Sequence, residues 1–130
     1  MSVSYRTPRS RVEGLGSAKT GTHEFWSQRL TAVAIAPLAI WFLCSALGLV
    51  GAPLDDAAEF FAEPLHAILM LLFMVAVLAH MRIGMQVVIE DYLHGGVKIV
   101  CLMLNRFFVW AVGIAIAYSI VKLALAGNAL

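Results

Sequence analysis

Three stretches of the chain stay apolar for longer than a soluble helix requires. Residues 30–54 contain no charged side chain, and residues 64–81 contain none apart from two neutral histidines, His66 and His80. Each reaches the roughly 18 residues from which a helix can cross hydrocarbon. A third stretch, residues 99–125, is interrupted by Arg106 near its start and Lys122 near its end. From both places a long cationic side chain can reach a headgroup region. The pattern predicts an all-α membrane protein with three transmembrane helices, over about residues 28–52, 64–92 and 98–125. They form one anchor domain, 22–130, behind a polar tail, 1–21.

The polar positions between the apolar runs predict how these helices begin and how they are oriented. Thr22 is placed to cap a helix that starts amphipathically through His23, Glu24 and Ser27, with Trp26 at headgroup depth. Pro37 falls inside the first span and removes one backbone donor, which a membrane tolerates where neighbouring groups satisfy the freed carbonyl. Pro53 and Pro64 bracket an acidic loop, and Pro64 suits a first helical turn. Arg6, Arg9, Arg11, Lys19 and Arg29 precede the first span, whereas the following loop carries Asp55, Asp56, Glu59 and Glu63 without Lys or Arg. The positive-inside rule therefore predicts a cytoplasmic N-terminus, an outer first loop and a cytoplasmic second loop around residues 90–98.

Composition agrees with this reading and removes others. The chain has 130 residues, of which 62% are hydrophobic and 13% charged, with a mean hydropathy of +0.88. A soluble domain is about half apolar and about a quarter charged. A net charge of +1 gives no reason to expect nucleic acid, and the basic tail suits anionic lipid at the inner leaflet. The tail is also too short for a soluble catalytic domain. The first apolar run is longer than a signal-peptide core, so insertion is expected through the mature helices themselves. Cys44 and Cys101 both fall inside spans and are expected to be inert packing residues.

Candidate chemistry concentrates in the second span, PLHAILMLLFMVAVLAHMRIGMQVVIEDYLHGG. An ionisable residue at membrane depth is costly and is first read as functional. Asp91 stands eleven positions after His80, close to three helical turns, so His80, Gly84 and Asp91 share a face. The bare Cα of Gly84 leaves room beside the imidazole for a flat ligand. Two readings of His80 remain open: an axial ligand to heme iron, or a structural histidine hydrogen-bonded to a neighbouring helix. Asp91 and Tyr92 end the span as an acid and a phenol, able to hydrogen-bond a small polar head group such as a quinone. Their blander reading is a solvated helix end and an aromatic-belt residue. Arg82 points nearly opposite His80 and calls for a carboxylate, from a heme propionate, from Glu90 or from another subunit. His66, near the outer loop, reads as a solvated or headgroup histidine.

The segment HMRIGMQVVIEDYLHGG, with His80 followed after ten residues by Asp91 and Tyr92, resembles the signature of the smaller hydrophobic anchor subunit of succinate dehydrogenase, respiratory complex II. THEFWSQRLTAVA, with His23, Phe25 and Arg29, is similar to that family's segment at the mouth of the first span. The likeness covers nearly the whole chain. The sister anchor fits less well, because its Ser-Pro-His and Arg-His-Leu motifs are absent. The resemblance implies that His80 ligates heme b, that Tyr92 and Asp91 contact ubiquinone, and that Arg29, Gly84, Arg82 and His23 surround these groups. It also implies a sister anchor, an iron–sulphur subunit and a flavoprotein as partners, a bacterial inner-membrane location, and no catalysis by this chain alone. Arg82 stands where some family members have an aromatic residue, and Gln86 is shifted by one position. A heme-free structural or assembly subunit of a membrane complex is the rival from another class.

Overall fold

The computed structural model describes residues 7–9 and 21–127. Four helices run through the second of these: α1 (Gly21–Gly48), α2 (Leu54–Ala62), α3 (Pro64–Tyr92) and α4 (Gly95–Gly127). No strand occurs among the described residues. Three of the helices, α1, α3 and α4, are long and apolar enough to cross a membrane. At ~1.5 Å per residue they measure roughly 42, 43 and 50 Å. A hydrocarbon core is about 30 Å thick, or about 40–45 Å with headgroups, so each helix extends through the polar layers as well. The basic residues Arg6, Arg11 and Lys19 and the C-terminal Asn128 to Leu130 lie outside the described residues.

The three long helices form an open row. α3 is flanked by α1 on one side and α4 on the other, and α1 does not touch α4. Few side chains are consequently buried. Phe73, Ala76, Ile83 and Ile89 of α3, Ile120 of α4, and Ala58 and Phe61 of α2 make up the buried set, and α1 contributes none. Phe42 stacks on Phe73 at 5.0 Å between ring centres, locking the middle of α1 to α3. On the other side, a methyl group added at Gly113 would meet Leu78 at 3.4 Å, so α4 lies close against α3 there. The outer apolar surfaces stay exposed, Leu30 at 71% and Trp110 at 67%. Hydrocarbon solvates such surfaces at no cost, so a membrane protein needs no large core of its own.

Two local features, at Thr22 and in the acidic loop, differ from the pattern read along the sequence, while Pro37 agrees with it. α1 already includes Gly21, which puts Thr22 inside the first turn and not at its cap. Pro37 sits within α1 without ending it, so the carbonyl of Val33 lacks its usual helical donor. The acidic loop contains the nine-residue helix α2, with Asp55 and Asp56 in its first turn, where the helix dipole favours carboxylates. Ala58 and Phe61 are buried, and α2 packs on α4 and more lightly on α3. Gly127 of α4 lies so near Ala58 that a Cβ there would collide with the Ala58 carbonyl and with Ala62.

Tight turns complete the row. Leu49 donates to Ser45 at 3.1 Å and Ala52 to Leu49 at 3.2 Å, and the chain reverses through Gly51 at φ 79°. Between α3 and α4 only Leu93 and His94 intervene, and Gly95 takes φ 66°, a conformation that side chains rarely adopt. The second loop is thus a two-residue hairpin, which ties the end of α3 to the start of α4.

Candidate functional site

Because α1 and α3 run antiparallel, the first turns of α1 face the last turns of α3. Glu24, Gln28 and Thr31 recur at helical spacing on one side of α1. All three point at α3. Thr31 Oγ1 lies 2.8 Å from the Ser27 carbonyl and 3.0 Å from the Gln28 carbonyl, and 3.1 Å from His80 Nδ1. Gln28 Nε2 lies 3.2 Å from His80 Nε2. The imidazole is thereby held at both nitrogens by the neighbouring helix.

One turn along α3, Gly84 faces the same glutamine: a Cβ there would come within 3.5 Å of Gln28 Nε2. Beyond it, Gln86 Nε2 donates to Glu24 Oε1 at 3.0 Å and to Glu90 Oε1 at 3.1 Å. A cleft of about 520 Å³ runs along this seam, lined among others by Glu24, Phe25, Gln28, Arg29, Ile83 and Gly84. Arg29 is exposed, and its guanidinium carbon sits 4.6 Å from the centre of the Phe25 ring. The Gln28 side-chain oxygen is buried without a hydrogen-bond partner among the described residues. An unpaired buried amide oxygen costs ~1–3 kcal/mol, so this rotamer of Gln28 is held weakly.

The other expected site residues take separate places. Asp91 and Tyr92 are exposed at the end of α3, Tyr92 at 79%. His23 is exposed in the first turn of α1, at the same end of the bundle. Arg82 lies on the opposite side of α3, against α4, and lines a small cleft with Gln86, Asn105 and Arg106. Asn105 donates to the Arg82 carbonyl at 3.0 Å. Among the described residues Arg82 forms no ion pair, and Glu90, one partner expected for it, accepts from Gln86 instead.

A family profile described as succinate dehydrogenase/fumarate reductase transmembrane subunit matches residues 3–121. The chain belongs to that family. Curated relatives agree across most of its length. It is 31% identical over 121 residues to the succinate dehydrogenase hydrophobic membrane anchor subunit of Paracoccus denitrificans, covering 93% of this chain and 94% of the relative. It is 31% identical over 93 residues to the protein of that description from Rickettsia bellii, covering 72% and 74%. To the succinate dehydrogenase membrane anchor subunit of Reclinomonas americana it is 32% identical over 92 residues, covering 68% and 77%. No solved structure matches at a significant level. The anchor-subunit resemblance carried by the segments around His23 and His80 is therefore confirmed.

His66, read from the sequence as a solvated or headgroup histidine, has close neighbours in the fold. It lies near the far end of α3, with Nδ1 3.1 Å from the Phe60 carbonyl and 3.2 Å from Glu63 Oε2. Its ring stacks on Phe60 at 3.9 Å between centres, with Trp41 beyond. The side chain is only 26% exposed, because α2 folds back over it.

Proposed function

We propose that this chain anchors a bacterial succinate:ubiquinone oxidoreductase in the inner membrane. In this reading its N-terminus is cytoplasmic, His80 gives heme b one axial ligand, and Asp91 with Tyr92 forms part of the ubiquinone-reduction site. The membrane placement rests on the three long apolar helices, and the complex on family membership and on relatives called anchor subunits. Paracoccus and Rickettsia, the sources of two of them, are bacteria.

The observation that carries the heme assignment is the chemistry at His80. The amide nitrogen of Gln28 can only donate, so His80 Nε2 accepts from it, and the Thr31 hydroxyl, which has two carbonyls within reach for its own proton, accepts from Nδ1. His80 is then the Nδ1–H tautomer, and its Nε2 lone pair faces the Gln28 amide, a residue that also lines the cleft. A neutral imidazole with a free Nε2 is the donor that heme iron takes. Gln28 covers that nitrogen through one hydrogen bond, and turning its side chain toward the cleft would free it. Arg29, on the same cleft, supplies a cation suited to a carboxylate. These residues fit the group.

Bound there, heme would supply a one-electron reservoir between this chain and a sister anchor. Tyr92 would donate its phenolic proton to a quinone carbonyl oxygen. Asp91 would pass protons from water to the phenol, so that two electrons arriving from the iron–sulphur subunit and two protons convert ubiquinone to ubiquinol. Succinate oxidation itself belongs to the flavoprotein, and this chain binds and orients.

A second reading has its own support. Hydrogen bonds to both nitrogens of His80 from a neighbouring helix are what a purely structural histidine requires, so a heme-free anchor is the rival. Purification of the tagged full chain from its native membrane tests the role. A flavoprotein and an iron–sulphur protein should accompany it, and Tyr92→Phe should slow quinone reduction by roughly 10²-fold. Isolation of the chain without those partners, or unchanged quinone turnover in the variant, would refute the assignment.

A further inference from the structure

We propose that Thr31 and Gln28 of α1 are positioning residues for His80: Thr31 selects the Nδ1–H tautomer, and Gln28 caps the bare Nε2 with an amide that a metal-bearing ligand displaces. The proposal deepens the heme reading and rests on it for the identity of the displacing group. It is carried by proton counting across four short contacts between two helices.

Thr31 Oγ1 sits within 2.8 and 3.0 Å of two backbone carbonyls, neither of which can donate. Its single proton therefore has a place along its own helix whenever the ring is the donor. The direction of the third contact, 3.1 Å to His80 Nδ1, is set from the other side of the ring, where the Gln28 amide nitrogen lies 3.2 Å from Nε2 and can only donate. Nε2 therefore accepts, and a neutral imidazole has one N–H, so Nδ1 carries the proton and donates it to Thr31. The four contacts agree on one tautomer. The other would set two N–H groups against each other at Nε2.

The cap differs in kind from the tautomer lock. Thr31 is a short side chain anchored by its own backbone, so it stays in place whatever happens at Nε2. Gln28 has a flexible stem, its oxygen is buried without a partner among the described residues, and it borders a cleft of about 520 Å³ into which it can turn. Gln28 is packed against this turn of α3, since a Cβ at Gly84 would lie 3.5 Å from Gln28 Nε2, an ordinary contact distance. In the absence of a ligand, the arrangement shields a bare nitrogen lone pair at membrane depth. It also leaves the imidazole turned and protonated as a metal ligand must be, since the proton on the far nitrogen fixes both tautomer and ring orientation.

The test uses the full chain, 15N-labelled at histidine, in lipid nanodiscs without heme, with hemin as the added probe. The His80 signals are assigned by their loss in His80→Gln. The expected spectrum has a protonated Nδ1 and an unprotonated Nε2. Thr31→Val should give a mixture of tautomers and a several-fold weaker hemin complex, and Thr31→Ser should restore both. Gln28→Ala should keep the tautomer and speed hemin capture roughly five-fold, as expected from one neutral hydrogen bond no longer broken. A wild-type His80 protonated at Nε2, or a Thr31→Val chain with the wild-type spectrum, overturns the lock. Unchanged capture in Gln28→Ala overturns the cap. Equal hemin binding by wild type and His80→Ala would instead defeat the heme reading, while the tautomer spectra would still decide the role of Thr31.

Discussion

Replacing Gln86 by Leu should loosen α1 from α3 at the end where α1 begins. The Gln86 amide nitrogen donates both its protons to carboxylates, at 3.0 Å to Glu24 on α1 and at 3.1 Å to Glu90 on its own helix. The two accepting oxygens are thus no more than about 6 Å apart. Between unit charges at that distance, repulsion is roughly 3 kcal/mol at an effective dielectric of about 20 and under 1 kcal/mol in bulk water. Both glutamates are half-buried, so the true figure lies between these limits. Gln86→Leu leaves this repulsion uncompensated and removes the interhelical bond, itself typically worth ~0.6 and at most ~2 kcal/mol in a membrane. Together these give a loss of about 1–2 kcal/mol for the α1–α3 pair. The assay is denaturation of the full chain in mixed micelles by added SDS, followed through Trp26 and Trp41 of α1. Combining Gln86→Leu with Glu24→Leu should cost about 1 kcal/mol less than the two changes summed, because both break one contact. Additivity within ~0.3 kcal/mol would refute the reasoning, since it would mean that the amide does not join the helices.

Other outcomes follow from the packing. Gly127→Ala should detach α2 from α4, because its methyl would run into the Ala58 carbonyl; faster amide exchange confined to α2 is the expected reading, and wild-type protection there would contradict it. At Gly113, alanine should be tolerated at the 3.4 Å contact with Leu78, whereas leucine should push α4 away and cost about 1–3 kcal/mol in the same denaturation assay. Phe73→Ala should cost less than the ~3–5 kcal/mol usual in water. Lipid is as apolar as phenylalanine, so the penalty reduces to lost packing against Phe42.

Much of this architecture was legible in the chain, and the reasons for the exceptions are physical. The three spans follow from uninterrupted apolar length, a signal that no other solvent produces, and α3 runs over the expected residues 64–92. α2 was hidden because nine residues are too few to form a stable helix alone. Its Leu54, Ala58, Phe61 spacing matters only once α4 is there to cover it. The ring neighbours of His66 were hidden for a related cause, since Phe60 and Trp41 lie on other elements. At the candidate site, His80 and Gly84 stood out by type and spacing. Their partners did not, although Glu24, Gln28 and Thr31 repeat at four and three residues near the start of the first span and form a polar stripe that could have been noticed. What one sequence could not give is which face of α1 meets α3, because apolar residues surround both helices nearly evenly. Arg82 illustrates the same limit. Its place opposite His80 follows from helical spacing, but its company of Arg106 and Asn105 depends on how α4 docks.

The most direct measurement is a reduced-minus-oxidised optical spectrum of the purified complex containing this chain, beside the same complex carrying His80→Leu. The account predicts b-type cytochrome bands in the first and their loss or marked displacement in the second. A wild-type complex without those bands, or a variant whose bands match the wild type, would contradict it.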